Sequence, residues 1–110
     1  MAGIDQMLLS GSMGTMLLKL LSEKDMYGYE MIETLRERSE NVFELKAGTL
    51  YPLLHTLEEK NYLTSYEQGG AGKIRKYYSI TKEGKKYLKT KLAEWDTYTT
   101  AVGNVLAFGV

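Results

Sequence analysis

Gly48-Thr49-Leu50-Tyr51-Pro52-Leu53-Leu54-His55-Thr56-Leu57 stands just ahead of two tyrosine-bearing stretches, Tyr62 to Glu67 and Lys73 to Ile80, with a glycine-rich segment between them. Leu50, Leu53, Leu54 and Leu57 recur at helical spacing, which predicts a helix with one apolar stripe. Tyr, Ile, Thr and Ser dominate the stretches Tyr62 to Glu67 and Ile74 to Ile80, on either side of Gln68-Gly69-Gly70-Ala71-Gly72, and predict a two-stranded hairpin with a flexible turn. A helix followed directly by a basic hairpin is the layout of a winged helix-turn-helix, in which the helix enters a DNA groove and the hairpin lies beside it. Duplex DNA is the expected partner.

The rest of the chain fits a mostly α (α+β) fold of that kind. Met13, Met16, Leu17, Leu20 and Leu21 mark a first helix with Ser12 as its N-cap, and Asp5 to Leu9 predict a short extra turn before it. Tyr27 to Ser39 reads as a second amphipathic helix, with Met31, Ile32 and Leu35 on one face and Glu33, Arg36, Glu37 and Arg38 on the other. Pro52 confines the start of the third helix to Gly48 or Thr49, because proline is tolerated in the first turn. Asn61 is expected to end it. Thr81 can cap a last helix, although Gly84 stands where a full capping box would have Glu or Gln. Along that helix Leu88, Leu92, Trp95, Thr99, Val102 and Leu106 follow a heptad seam, and a lone helix with such a seam needs a partner. The expected organisation is a winged helix-turn-helix domain with a two-stranded β wing over residues 1–80 and a C-terminal dimerisation helix over residues 81–110, assembled as a homodimer. The apolar end, Ala107-Phe108-Gly109-Val110, has no reading.

Composition removes other classes. With 110 residues and 44% hydrophobic content there is room for one core. Absence of cysteine excludes disulfides and thiolate metal sites and agrees with a reducing cytoplasm. His55 is the single histidine, so a zinc site or histidine-based catalysis is not expected, and neither is a cofactor. Apolar runs such as Met16 to Leu21 fall short of the roughly 20 residues a membrane span requires, and the start lacks the charged and apolar regions of a signal peptide. Glu58 and Glu59 are adjacent on a helix and diverge, giving no acid–base pair. Glu67 and Ile74 stand where a phosphate-binding loop would need Gly and Ser or Thr. No enzyme is indicated.

Net charge is zero and the isoelectric point about 6.6, which by itself argues mildly against nucleic acid. The distribution argues the other way. Residues 1–72 carry six basic against eleven acidic groups, and residues 73–110 eight basic against three acidic, so the positive field begins at the wing tip.

On the third helix Lys46, Thr49, Tyr51, His55, Thr56 and Lys60 lie off the leucine stripe and can reach phosphates or base edges. Their alternative is an ordinary solvent face, and His55 fits either. At the hairpin, glycines let the backbone approach phosphates while Lys73, Arg75 and Lys76 supply charge. The Tyr27-Gly28-Tyr29 cluster offers hydroxyls to phosphates, with core packing as the alternative favoured for Tyr29. Trp95 either fills a dimer core or stacks on a flat ligand across a two-fold axis. The six methionines are core filler first and an adaptable pocket second.

Tyr27-Gly28-Tyr29-Glu30, Gly48 to Glu58, Arg75-Lys76-Tyr77-Tyr78 and Ile80-Thr81-Lys82-Glu83-Gly84, in this order over about residues 8 to 100, resemble the PadR family of bacterial transcriptional regulators. The single C-terminal helix is similar to the smaller branch of that family. The resemblance implies a homodimeric winged helix-turn-helix repressor whose first and last helices form the dimer interface. It implies Thr49, Tyr51 and His55 as the reading face and Lys73, Arg75 and Lys76 as wing contacts; Lys46 and Tyr77 are expected to join them as DNA contacts, on a pseudo-palindromic operator. It further implies that Trp95 lines a flat pore between subunits for a small planar aromatic effector, with Leu8, Gly11, Leu18 and Thr99 as neighbours. Two other readings stay open: a small-molecule binding protein with a vestigial winged helix, and an interaction module using the apolar tail.

Overall fold

A computed structural model describes residues 6–107, with side chains from residue 11 onward. The elements run α1 (Gln6–Glu23), β1 (Met26–Tyr27), α2 (Gly28–Arg38), α3 (Ala47–Glu59), β2 (Leu63–Gly70), β3 (Lys73–Ile80) and α4 (Lys82–Ala107). The strands form one antiparallel sheet in the order β1-β3-β2. Asp5 and Phe108 to Val110 lie outside the described residues, and Leu8 outside the described side chains.

Each helix buries one stripe against the sheet or a neighbour. Leu17, Leu18 and Leu21 of α1, Met31 of α2, and Leu50 and Leu54 of α3 are the largest fully enclosed side chains among the described residues. Met26, Leu63 and Tyr78 add the inner face of the sheet, and Leu88 of α4 closes the core. Burial of one such aliphatic side chain stabilises by about 1.5–3 kcal/mol, so these stripes fix the arrangement. Between α1 and α2, Arg38 grips both Glu23 carboxylate oxygens, one at 2.9 Å from Nη1.

Two helix starts differ from expectation. The first helix runs unbroken from Gln6, so the separate extra turn and the Ser12 cap merge into one helix with Ser12 inside it. Met7, Leu8 and Leu9 are good helix formers and nothing in this stretch forces a break, and a serine caps only where the chain before it leaves the helix. The third helix starts at Ala47 with Lys46 as its N-cap, which puts Pro52 in the second turn rather than the first. The missing proline N–H frees the Gly48 carbonyl, and Gly48 is exposed, so water can take that bond.

Helix ends follow local chemistry. Asn61 adopts φ +66° after the Lys60 C-cap, with Asn61 N–H donating to Glu58 O and Tyr62 N–H to Leu57 O, the two bonds of a Schellman end. Thr81 Oγ1 accepts from Gly84 N–H at 2.9 Å and donates to Asn61 O at 2.6 Å, capping α4 and anchoring it to the end of α3. A Cβ on Gly84 would lie 3.1 Å from the Tyr62 carbonyl carbon and closer still to its oxygen. Backbone occupies the space a capping-box glutamate would need, which is why glycine stands there.

The hairpin closes on Ala71 and Gly72, with φ +53° and +86°. Positive φ at both central residues is the signature of a type I′ turn, so the segment read as a flexible loop is a tight two-residue connection and the strands extend to Gly70 and Lys73. The two-residue strand β1 has no sequence periodicity and exists through its pairing with Tyr77 and Tyr78. Only the first turns of α4 touch the core. Its 26 residues span roughly 39 Å at 1.5 Å per residue, and residues 92–101 are all exposed.

Candidate nucleic-acid interface

The leucine stripe that seats α3 leaves Lys46, Thr49, Tyr51, His55, Thr56 and Lys60 exposed on its other side. His55 is free of the core, its side chain 74% exposed and its Nε2 3.6 Å from Glu59 Oε2. Thr56 Oγ1 is occupied in donating to Pro52 O at 3.1 Å. Tyr51 is only half free: it is 47% exposed, but its hydroxyl end presses on Gly28, where a Cβ would come within 2.8 Å of Cζ. It joins the start of α2 to the outer face of α3.

Strand alternation divides the wing cations. Leu63, Ser65, Met26, Tyr78 and Ile80 share the sheet face that packs inward, and Lys76 and Ile74 continue that face toward the tip. On this side Ser65 Oγ donates to Glu58 Oε2 of α3 at 2.8 Å, and burial, the largest influence, pushes the Tyr78 phenol above its ordinary 10.0. Lys76 reaches back over the Tyr78 ring, Nζ 5.6 Å from its centroid. Ile74 is 73% exposed near the tip.

The opposite face holds Tyr27, Tyr66, Tyr77, Arg75 and Lys73. Arg75 lies over the Tyr27 ring at 4.6 Å, Tyr27 meets Tyr77 edge-on at 5.4 Å, and Tyr66 stacks on Tyr77 at 5.7 Å. Tyr66 Oη donates to Asp25 Oδ2 at 2.7 Å, and this bond holds the phenol above 10.0. The three cations expected to act together are therefore not on one surface: Lys76 lies on the α3 side, whereas Arg75 and Lys73 lie on the other. None of the three pairs with a carboxylate among the described residues. Of the remaining positive charge of the C-terminal half, Lys82, Lys85, Lys86 and Lys89 are exposed on α4, and Lys91 is half-buried and paired with Glu94 at 3.1 Å. Among the described residues no helix is long and apolar enough to cross a membrane.

The profile of the PadR-like family of transcriptional regulators matches residues 17–90, from the middle of α1 into α4. The chain belongs to this family. Its fold agrees: a transcriptional regulator from Clostridium thermocellum superposes with a TM-score of 0.84 at 36% identity, over 90% of this chain and 97% of the other. A PadR family transcription regulator from Clostridium difficile R20291 gives 0.79 at 39% identity, over 87% and 99% of the two chains. In sequence it is 28% identical to the transcriptional regulator YqjI of Escherichia coli over 72% of this chain and 37% of that longer protein. The winged helix-turn-helix expected from the sequence is thus the PadR fold.

In this PadR-family chain the seam on α4 is reached unevenly. Leu92, Trp95 and Leu106 are exposed, Trp95 at 53%, and Val102 is half-buried. Leu88 is in the domain core and has no apolar surface for a second subunit. A 4-3 spacing does not distinguish these cases, because the same helix face enters the core before it leaves the domain. Tyr98, outside the expected seam, lies 6.3 Å from Trp95 ring to ring and is exposed. Of the expected effector neighbours, Gly11 faces open space and Thr99 Oγ1 donates to Trp95 O at 2.8 Å. Leu18 is wholly enclosed by the core and cannot line a pocket between subunits.

Proposed function

We propose that this PadR-family regulator is a homodimeric, sequence-specific repressor. Each subunit lays the outer face of α3 in the major groove and sets its wing on the adjoining backbone of a pseudo-palindromic operator, with half-sites about 10 bp apart or a multiple of that. The observation that carries the reading is the exposed polar face of α3, Lys46, Thr49 and His55, flanked on the same side of the sheet by Lys76, which has no carboxylate partner among the described residues. Lys76 and Lys46 fix register through phosphates, and Thr49 and His55 read base edges. Neutral overall charge is offset by duplication, because counterion release scales with the phosphates contacted by both subunits.

Dimerisation is assigned to the α4 seam of the exposed Leu92, Trp95 and Leu106 together with the half-buried Val102. A small planar aromatic effector would stack on Trp95 at that junction and relieve repression by favouring a dimer whose α3 spacing mismatches the operator. The test is a mobility shift on the region upstream of the protein's own gene at two salt concentrations. Specific binding should weaken with salt, and Lys76→Ala should flatten the salt slope by about 0.9 for each phosphate contact removed. An unchanged slope in Lys76→Ala would refute the wing assignment. Unchanged Trp95 fluorescence on titration with planar aromatic compounds would remove the effector.

A further inference from the structure

The two DNA-facing elements share one support. Tyr27 ends β1 and Gly28 begins α2, and the wing and α3 each rest on this dipeptide. From the wing, Arg75 lies 4.6 Å over the Tyr27 ring and Tyr77 meets it edge-on. From α3, the Tyr51 ring seats against Gly28, in space a larger residue would fill. The dipeptide is itself held, since Tyr27 N–H donates to Glu30 Oε1 at 3.3 Å and Glu30 pairs with Lys24 at 3.0 Å. A second tie holds the wing base to the same place: Tyr66 stacks on Tyr77 and bonds Asp25, two residues before Tyr27.

We infer that Tyr27-Gly28 is the registration point that sets the position of the wing relative to α3, and that Arg75 acts there as a positioning residue instead of a phosphate contact. This rests on the DNA-binding reading above. A two-stranded ribbon anchored only at its base swings at little cost, and each contact across a base edge or a phosphate tolerates only a few tenths of an ångström. Stacking a guanidinium on a ring and a ring on a ring is directional and removes that freedom. The arrangement also accounts for arginine at a position where a lysine would serve equally well as a point charge, because the flat guanidinium is the better partner for an aromatic face.

The test uses full-length protein and the same upstream duplex, comparing wild type with Tyr27→Leu and Tyr66→Phe. Neither variant alters charge on the wing, and Tyr66→Phe deletes one hydroxyl from an exposed side chain, so the fold survives. Operator affinity should fall about fivefold in Tyr27→Leu and less in Tyr66→Phe, the scale of one lost cation–π and edge-to-face contact. The salt slope should stay at the wild-type value in both. In the free protein, amide exchange over residues 67–76 should quicken in both variants. Unchanged affinity in folded variants, or a slope reduced as in Lys76→Ala, would overturn the proposal. If wild type binds no DNA, the underlying reading fails on its own, and unchanged amide exchange in the variants would then overturn the registration point separately.

Discussion

The Tyr51 hydroxyl occupies the space that a side chain on Gly28 would need. Gly28 is buried at the first position of α2, and Tyr51 comes from the outer half of α3, so the pair fixes the angle between the two helices of the helix-turn-helix. Gly28→Ala should destabilise by about 1–3 kcal/mol through overpacking. In a Tyr51→Ala background the clash is gone, and the same change should be neutral or gain about 0.4–1 kcal/mol by restricting the unfolded chain. Urea denaturation of the four proteins of this double-mutant cycle checks it, and equal costs in both backgrounds would show that the two residues are not coupled.

At the wing tip, Ala71 is held at φ +53°, in the left-handed region that alanine disfavours. Asparagine tolerates that region and, before Gly72, completes the residue pair that type I′ turns prefer. Ala71→Asn should therefore stabilise by about 0.5–1 kcal/mol, seen as a higher urea midpoint with an unchanged slope. A lower midpoint would contradict the turn assignment.

Acid should loosen the join between α1 and α2. The Arg38 guanidinium, hydrogen-bonded to Glu23, holds that carboxyl below its ordinary 4.5, and Arg36 does the same for Glu33. A lowered carboxyl contributes stability that is present above 4.5 and is lost as pH falls through the depressed value. Carboxyl carbon NMR titration should find the Glu23 midpoint below 4.5 in wild type and closer to 4.5 in Arg38→Ala. Both groups are exposed, so the effect on global stability is small. Coincident midpoints in the two proteins would remove the pair from the account.

How far these features can be read from sequence varies with the physics behind them. The α3 stripe and the hairpin are legible because Leu50, Leu53, Leu54 and Leu57 and the alternating strands carry periods of their own. Strand β1 is not, since two residues have no period and Met26-Tyr27 becomes a strand only by pairing with β3. Assigning Tyr51 and Arg75 wholly to DNA overlooks that each is engaged inside the protein, by Gly28 and Tyr27. The alternation of β3 does carry one usable signal: Arg75 and Lys76 are adjacent, so they had to point to opposite faces. Leu88 and Leu18 show the converse limit, because an apolar residue at the right spacing reads the same whether a domain core or a second subunit covers it.

The exposed seam of α4 gives a prediction about assembly. Leu92→Glu/Trp95→Glu places charge on the surface assigned to the partner and leaves Leu88 and the core untouched. Sedimentation should show a dimer for wild type and a monomer for the double variant, with unchanged far-ultraviolet circular dichroism. A dimer that persists in the variant would move the interface elsewhere.

The central claim, that the outer face of α3 reads sequence, is tested most directly by comparing affinities for the upstream duplex and a shuffled duplex of equal composition, at one salt concentration, in wild type and Thr49→Ala/His55→Ala. Wild type should prefer its own sequence, and the variant should lose about tenfold or more of that preference while keeping its affinity for the shuffled duplex. A preference that survives both substitutions would contradict the claim and place sequence reading elsewhere on the protein.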